Sequence, residues 1–230
     1  MLFGLVARWR CFMGAKERTL EQLLSGYGEV GARTLTRPSF IDVSTSRYAD
    51  TVMGIYRALG GGLDAFPLNL RAWDIEFDGL AVELDEQLHF NRFRAATLKS
   101  SVYAELPAFP LAAYQTYCSD REDACIRAGR HGGKWTSNSS EKQFGPSPPR
   151  GDFDGSGPAR WRQRAFYDFV KDLAPLIIRV PVVRIAIWDK VEINGRFCTI
   201  EEILKHPSSD SASAIIDLIN ERRPYPRKLT

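Results

Sequence analysis

The stretch Trp73-Asp74-Ile75-Glu76-Phe77-Asp78-Gly79-Leu80-Ala81-Val82-Glu83-Leu84-Asp85 alternates apolar and acidic residues on both sides of Asp78-Gly79. Alternation with a period of two marks a half-buried strand, and Asp-Gly between two such runs is a strong hairpin signal. The turn sets the register: Phe77 opposite Leu80, Ile75 opposite Val82 and Trp73 opposite Leu84, all on one face. Asp74, Glu76, Glu83 and Asp85 then share the other face. Like charges facing one another across strands destabilise a sheet, so the cluster needs a reason. A divalent cation supplies one, because Mg²⁺ takes carboxylate oxygens and water. A solvated outer face is the plain alternative. A glycosidase acid pair is another, but four facing acids repel without a cation and the surroundings lack an aromatic sugar platform. The metal reading is preferred, with Asp74 and Glu83 as ligands from paired strands and Asp85 as a third.

Working outward, apolar spacing predicts amphipathic helices over 15–26 and 44–59, the second capped within Ser44-Thr45-Ser46 and stopped by Gly60-Gly61-Gly62. Residues 107–158 are rich in Gly, Pro and Ser and read as an irregular insertion with one short helix near 120–128. Helical spacing returns over 160–173, an inner strand follows at 182–188, Asn194-Gly195 suggests a second hairpin, and 211–222 forms a closing helix. This order predicts a single α/β domain: N-terminal helices over 1–62, a core over 63–106 and 159–205 with the insertion 107–158, and a C-terminal helix within 206–230. No repeat of solenoid length recurs.

The chain has 230 residues, 44% of them hydrophobic, enough for a sizeable core and against wholesale disorder. No stretch is apolar enough to span a membrane, and the apolar start 1–7 meets Arg8 and Arg10 too early for a secretory core. Cys11, Cys118, Cys125 and Cys198 are too few for a disulfide scaffold, which points to the cytoplasm. A net charge of +3 permits nucleic-acid binding without establishing it.

The insertion and the helix after it concentrate Arg127, Arg130, Lys134, Lys142, Arg150, Arg160, Arg162 and Arg164, interleaved with Trp135, Phe144, Phe153 and Trp161. Cations attract phosphates and aromatic rings stack on bases, so a nucleic-acid surface is expected there; a solvated loop with its aromatics turned inward is the alternative. Arg92 and Arg94 follow His89, Arg92 at helical spacing from it, and are further phosphate candidates, with a solvated helix face as the alternative. Cys118, Cys125 and His131 are spaced too loosely for a zinc knuckle, so structural Zn²⁺ is a minor expectation against two buried free thiols. Gly132-Gly133-Lys134 lacks P-loop spacing, and nucleotide cofactors are not supported.

An aspartate, a hairpin turn and Glu-x-Asp on the second strand resemble the core motif of the PD-(D/E)xK nuclease superfamily. Asp74 matches its aspartate and Glu83 its glutamate, while Asp85 stands where the lysine normally is. Val82 to Phe90 is also similar to the Glu-x-Asp-Gly-x-x-His run of very-short-patch-repair-type endonucleases, with Glu86 in place of glycine and His89 at the histidine. Gln163 and Tyr167 match the Gln-x-x-x-Tyr element of RecB-type nucleases, and the four-residue spacing puts both on one helix face. Residues 73–98 and 160–189 further resemble an uncharacterised bacterial domain family.

The resemblance implies a restriction-endonuclease-like core and a Mg²⁺- or Mn²⁺-dependent endonuclease acting on DNA, in repair, restriction or phage defence. It implies catalytic roles for Asp74, Glu83, Asp85, His89, Gln163 and Tyr167, and metal ligation by the first three. DNA contacts fall to Arg92, Arg130, Lys134, Lys142, Arg160 and Arg164. Lys134 or Lys171 stands in for the missing lysine, and a homodimer is compatible. A noncatalytic nucleic-acid- or partner-binding module on the same fold is the alternative.

Overall fold

The structure, a computed structural model, describes residues 14–31, 34–130, 134–153 and 155–224. The apolar start 1–7, Cys11, His131 and the end of the chain, 225–230, lie outside them. β1 (Ile75–Phe77) and β2 (Leu80–Asp85) form the expected antiparallel hairpin, with Ile75 opposite Val82 and Phe77 opposite Leu80. Asp78 and Gly79 both take positive φ, 48° and 72°, as a type I′ turn requires. β3 (Val182–Ala186) adds to β2 in parallel, giving the order β1-β2-β3 and setting Glu83 beside Arg184.

Both faces of this sheet are covered, so the solvated-face alternative falls away. One face presents Ile75, Phe77, Leu80, Val82 and Leu84 with Val183 and Ile185 to a purely apolar core. α1 (Ala15–Ser25), α10 (Ile200–Lys205) and α11 (Ser209–Glu221) close that core with Leu20, Leu24, Ile203, Ile215 and Ile219. The other face carries the charged residues and meets α8 (Ala159–Asp172), which is buried nearly all round. Away from the sheet, α8 packs Phe166 against Tyr56 and Phe66, with ring centroids 5.1 and 5.3 Å apart. The result is mixed α/β, a three-layer arrangement with a two-stranded hairpin, β4 (Lys190–Ile193) and β5 (Arg196–Thr199), turning at Asn194-Gly195.

Four expectations need correction. Trp73 does not face Leu84; the chain leaves the strand before Ile75, and the indole packs against Ala81, Ala174 and Val180 while Nε1 donates to the Thr36 carbonyl at 3.1 Å. The helix expected over 44–59 is two helices, α2 (Phe40–Ser44) and α3 (Ala49–Ala58). Ser44 and Thr45 hydroxyls bond back to the Ile41 carbonyl and Ser46 to that of Val43, so these residues close the first helix instead of capping the second. The insertion carries three helices instead of one: α6 (Glu122–Gly129) where the short helix was expected, with α5 (Leu111–Asp120) and α7 (Asn138–Phe144) in addition. Gly129, which weighed toward a loop, ends α6 where a Cβ would stand 2.1 Å from the Trp161 ring. Finally, the interleaved aromatics turn inward: Trp135 and Trp161 are fully buried with their centroids 5.3 Å apart, and Phe144 is buried beside Tyr56. Burying such large apolar surfaces outweighs keeping them available to bases.

Candidate active site

Arg184 sits in the middle of an apolar strand, 2% exposed, and a buried guanidinium must find acids. It donates from Nη1 to Asp85 Oδ1 at 2.7 Å and from Nε to Asp172 Oδ1 at 2.8 Å. Its Nη1 also lies 3.6 Å from Asp168 and 3.8 Å from Glu83. Asp172 takes a second cation, Arg94 of α4 (Arg92–Thr97), at 2.6 Å, and the Tyr103 hydroxyl at 2.6 Å. Asp85 takes the Tyr114 hydroxyl at 2.8 Å. Asp85 and the α8 acids Asp168 and Asp172 thus meet two buried arginines, so much of the charge that called for a metal is neutralised by the protein itself.

Glu76 also leaves the expected cluster. Its carboxylate accepts from the backbone N–H groups of Thr34 and Leu35 at 2.6 and 2.9 Å, pinning the segment ahead of α2.

Asp74 and Glu83 behave differently. They line a cleft of about 890 Å³ between the hairpin, α8 and α7. The Asp74 amide donates to Glu83 Oε1 at 3.3 Å, and Asp74 Oδ2 accepts from the Leu84 amide at 2.9 Å, so the two side chains are tied to each other's strand. Burial first, and then the Glu83 charge, push the Asp74 carboxyl well above its ordinary range; Lys171 opposes this without cancelling it. Lys171, on α8, donates to Glu83 Oε1 at 2.7 Å. The motif lysine missing from the strand therefore has a stand-in on the facing helix. Two carboxylates side by side on the cleft fit a divalent cation, whereas Asp85, held by Arg184 and Tyr114, does not extend that ligand set.

His89 bridges the two regions. Its Nδ1 lies 2.8 Å from Asp168 and 3.1 Å from Asp85, while the ring lines the cleft. Each of these three residues brings one ligand atom within 4.8 Å of the others, a second geometry that suits a metal, but Arg184 already supplies cationic charge there. With Nδ1–H donated to carboxylate, Nε2 keeps its lone pair for a proton from the cleft. Although burial works against the charge, His89 and Arg184 hold the Asp168 carboxyl well below its ordinary range.

Gln163 and Tyr167 line the same cleft one helical turn apart. Gln163 accepts from Arg160, and the Tyr167 hydroxyl donates to the Pro67 carbonyl at 3.2 Å and accepts from Gln143 at 3.4 Å. Of the expected phosphate contacts, Lys134, Arg160 and Arg164 line the cleft. Arg92 instead forks onto Glu122 at 2.9 Å over the Phe153 ring, and Arg130 and Lys142 are exposed elsewhere. Cys118 and Cys125 are buried free thiols, pushed by burial up to about 11 and about 12, which opposes the thiolate that zinc needs.

Sequence reasoning passed over Arg71, Asp168, Asp172 and Arg184, and it gave Arg94 a phosphate-binding or solvated role where the side chain is buried against Asp172. A signal existed for Arg184, a lone charge inside Val182 to Trp188, and for Asp168 and Asp172, acids one turn apart on a helix facing the sheet.

Fold and site together describe a mixed α/β protein in which an acid pair at the hairpin, a lysine of α8 and a histidine just after β2 line a cleft with arginines on its wall. The chain belongs to the DUF7255 family, a family of unknown function, whose profile matches residues 54–206 and so takes in the hairpin, α8 and β3 but neither α1 nor α11. No curated protein and no solved structure matches it.

Proposed function

We propose that the protein is a divalent-metal-dependent nuclease acting on DNA, built on a restriction-endonuclease-like core. The reading is carried by one observation: Asp74, just ahead of β1, and Glu83 of β2 lie together in the cleft with Lys171 beside Glu83. Asp74 and Glu83 would hold Mg²⁺ or Mn²⁺, which would acidify a water and offset charge on the phosphate. Lys171 adds a fixed cation where charge builds in the transition state. His89, oriented by Asp168, exchanges a proton at Nε2. Arg160 and Arg164 hold the strand through its phosphates, and Gln163 positions Arg160.

The test is cleavage of linear, nicked and single-stranded DNA with Mg²⁺, Mn²⁺ or EDTA, by wild type and by folded Asp74→Ala plus Glu83→Ala. Metal-dependent cleavage that the double variant loses is the expected result. Cleavage unchanged in EDTA or in the variant would sink the mechanism. Binding with no cleavage under either metal would make the chain the noncatalytic binding module.

A further inference from the structure

The arginine wall of the cleft is built against helix stability. α8 opens with no acidic residue in its first turn and carries Arg160, Arg162 and Arg164 in its first two turns. Cations at a helix N-terminus oppose the axial dipole, and anions are favoured there. Arg162 turns away from the cleft and packs over the Phe144 ring at 5.7 Å. Arg160 and Arg164 line the cleft together with Arg71, from the segment leading into the hairpin.

These three differ from the protein's other clustered arginines. Arg184, Arg94 and Arg92 each grip a carboxylate within 3 Å. Arg160 donates to the Gln163 amide oxygen and Arg164 to the Leu88 carbonyl at 3.4 Å, and none of the three forms an ion pair among the described residues. Burial and the charges of Arg164 and Arg71 push the Arg160 guanidinium below its ordinary value, the mark of cations crowded together. On α7, which also lines the cleft, Gln143 is 3% exposed and its Oε1 has no hydrogen-bond partner among the described residues, although Nε2 donates to Ser139 and Tyr167. A buried acceptor in the lining of the same cleft suits an N–H or O–H of a bound nucleotide.

Charge and size together choose the ligand. A phosphate monoester carries roughly 1.5 to 2 negative charges at neutral pH, whereas an internal phosphodiester carries one. Guanidinium forks match phosphate oxygens two at a time. A cleft of about 890 Å³ falls in the range of sites that enclose small ligands, a size that suits the end of a strand. We propose that Arg71, Arg160 and Arg164 form a subsite for the terminal phosphate monoester of a nucleic-acid strand, making the cleft a reader of strand ends. The strand beyond that phosphate rests on the nuclease reading; the subsite does not.

The experiment uses the full chain and single strands of one sequence carrying a 5′-phosphate, a 3′-phosphate or hydroxyls at both ends, with a closed circle of that sequence, in Mn²⁺. One phosphorylated strand should be degraded about tenfold faster than the dihydroxyl strand or more, the size of one charge-assisted contact, and the circle should resist. The preferred end identifies the terminus that is read. Arg71→Gln, at the exposed end of the wall, should erase the preference, and so should Arg160→Lys, which keeps the charge and loses the fork. Equal rates on all four substrates overturn the proposal. If no substrate is cut, the nuclease reading fails by itself, and metal-free fluorescence anisotropy at one salt concentration decides the subsite. Tighter binding of a phosphorylated strand that both variants lose sustains it, and equal binding of phosphorylated and hydroxyl strands overturns it.

Discussion

Glu83 and Asp85 occupy alternate positions of β2 and point to the same side of the sheet, yet they belong to different chemistries. Asp85 is sealed under Arg184 and Tyr114 in a network where every carboxylate has a full cation or hydroxyl complement. Glu83 opens with Asp74 onto the cleft, where Lys171 offsets only part of the shared charge. The first region resembles a structural ion cluster, expensive to break but inert; the second keeps its charge available for something that arrives from outside. The difference shows that a row of acids on one strand face is not one site, because the facing helix and the neighbouring strand decide which acids are neutralised.

The largest effect expected from this contrast is at Arg184. Arg184→Met leaves Asp85, Asp168 and Asp172 buried beside one another, and breaking a buried ion cluster by removing one partner costs about 3–5 kcal/mol. For a chain of this length that corresponds to a melting temperature lowered by roughly 10 °C. Calorimetry or thermal circular dichroism checks it, and a drop of only a degree or two would mean that the network carries little of the fold's stability.

Asp74→Asn should do the reverse. Removing one of two adjacent acids relieves the repulsion and the burial cost that push its carboxyl upward, so in EDTA the variant should melt a few degrees above wild type, about 1 kcal/mol at this size. Added Mn²⁺ should raise the wild-type melting temperature through ligand linkage and leave the variant unchanged. A variant less stable than wild type in EDTA would place Asp74 with the structural acids and dissolve the comparison.

The hairpin was legible because its causes are local: period-two alternation and the φ demands of Asp78-Gly79 fix register without reference to the rest of the chain. The acid pair was legible for the same reason. What covers the charged face was not, since Arg184 and Asp172 reach Asp85 only through a parallel strand pairing and a crossover about a hundred residues long, which spacing cannot encode. Lys171 was one of two lysines with the reach to stand in for the missing motif lysine, and only the approach of α8 separates them. The insertion misled because its glycines and prolines mark helix ends and close contacts, as Gly129 does against Trp161, and composition does not distinguish those from loops.

The smallest effect concerns acidity, and it separates the two regions by sign. Asp168 belongs to the sealed network, and its folded-state carboxyl is held well below its ordinary range. An acid depressed in this way contributes stability that is complete above the unfolded value, about 3.9, and lost as pH falls through the folded value. The stability advantage of wild type over Asp168→Asn should therefore shrink between pH 5 and pH 3, by at most about 1.4 kcal/mol per pH unit. Asp74 is raised, so its ionised form carries a penalty that is fully present above the folded value and relieved as pH falls through it. Measured in EDTA against Asp74→Asn, wild type should gain stability on acidification while it loses ground against Asp168→Asn. Urea titrations of the three proteins at pH 7, 5, 4 and 3 read both differences at once. Two differences moving in the same direction would show that the cleft acids and the sealed acids titrate as one cluster.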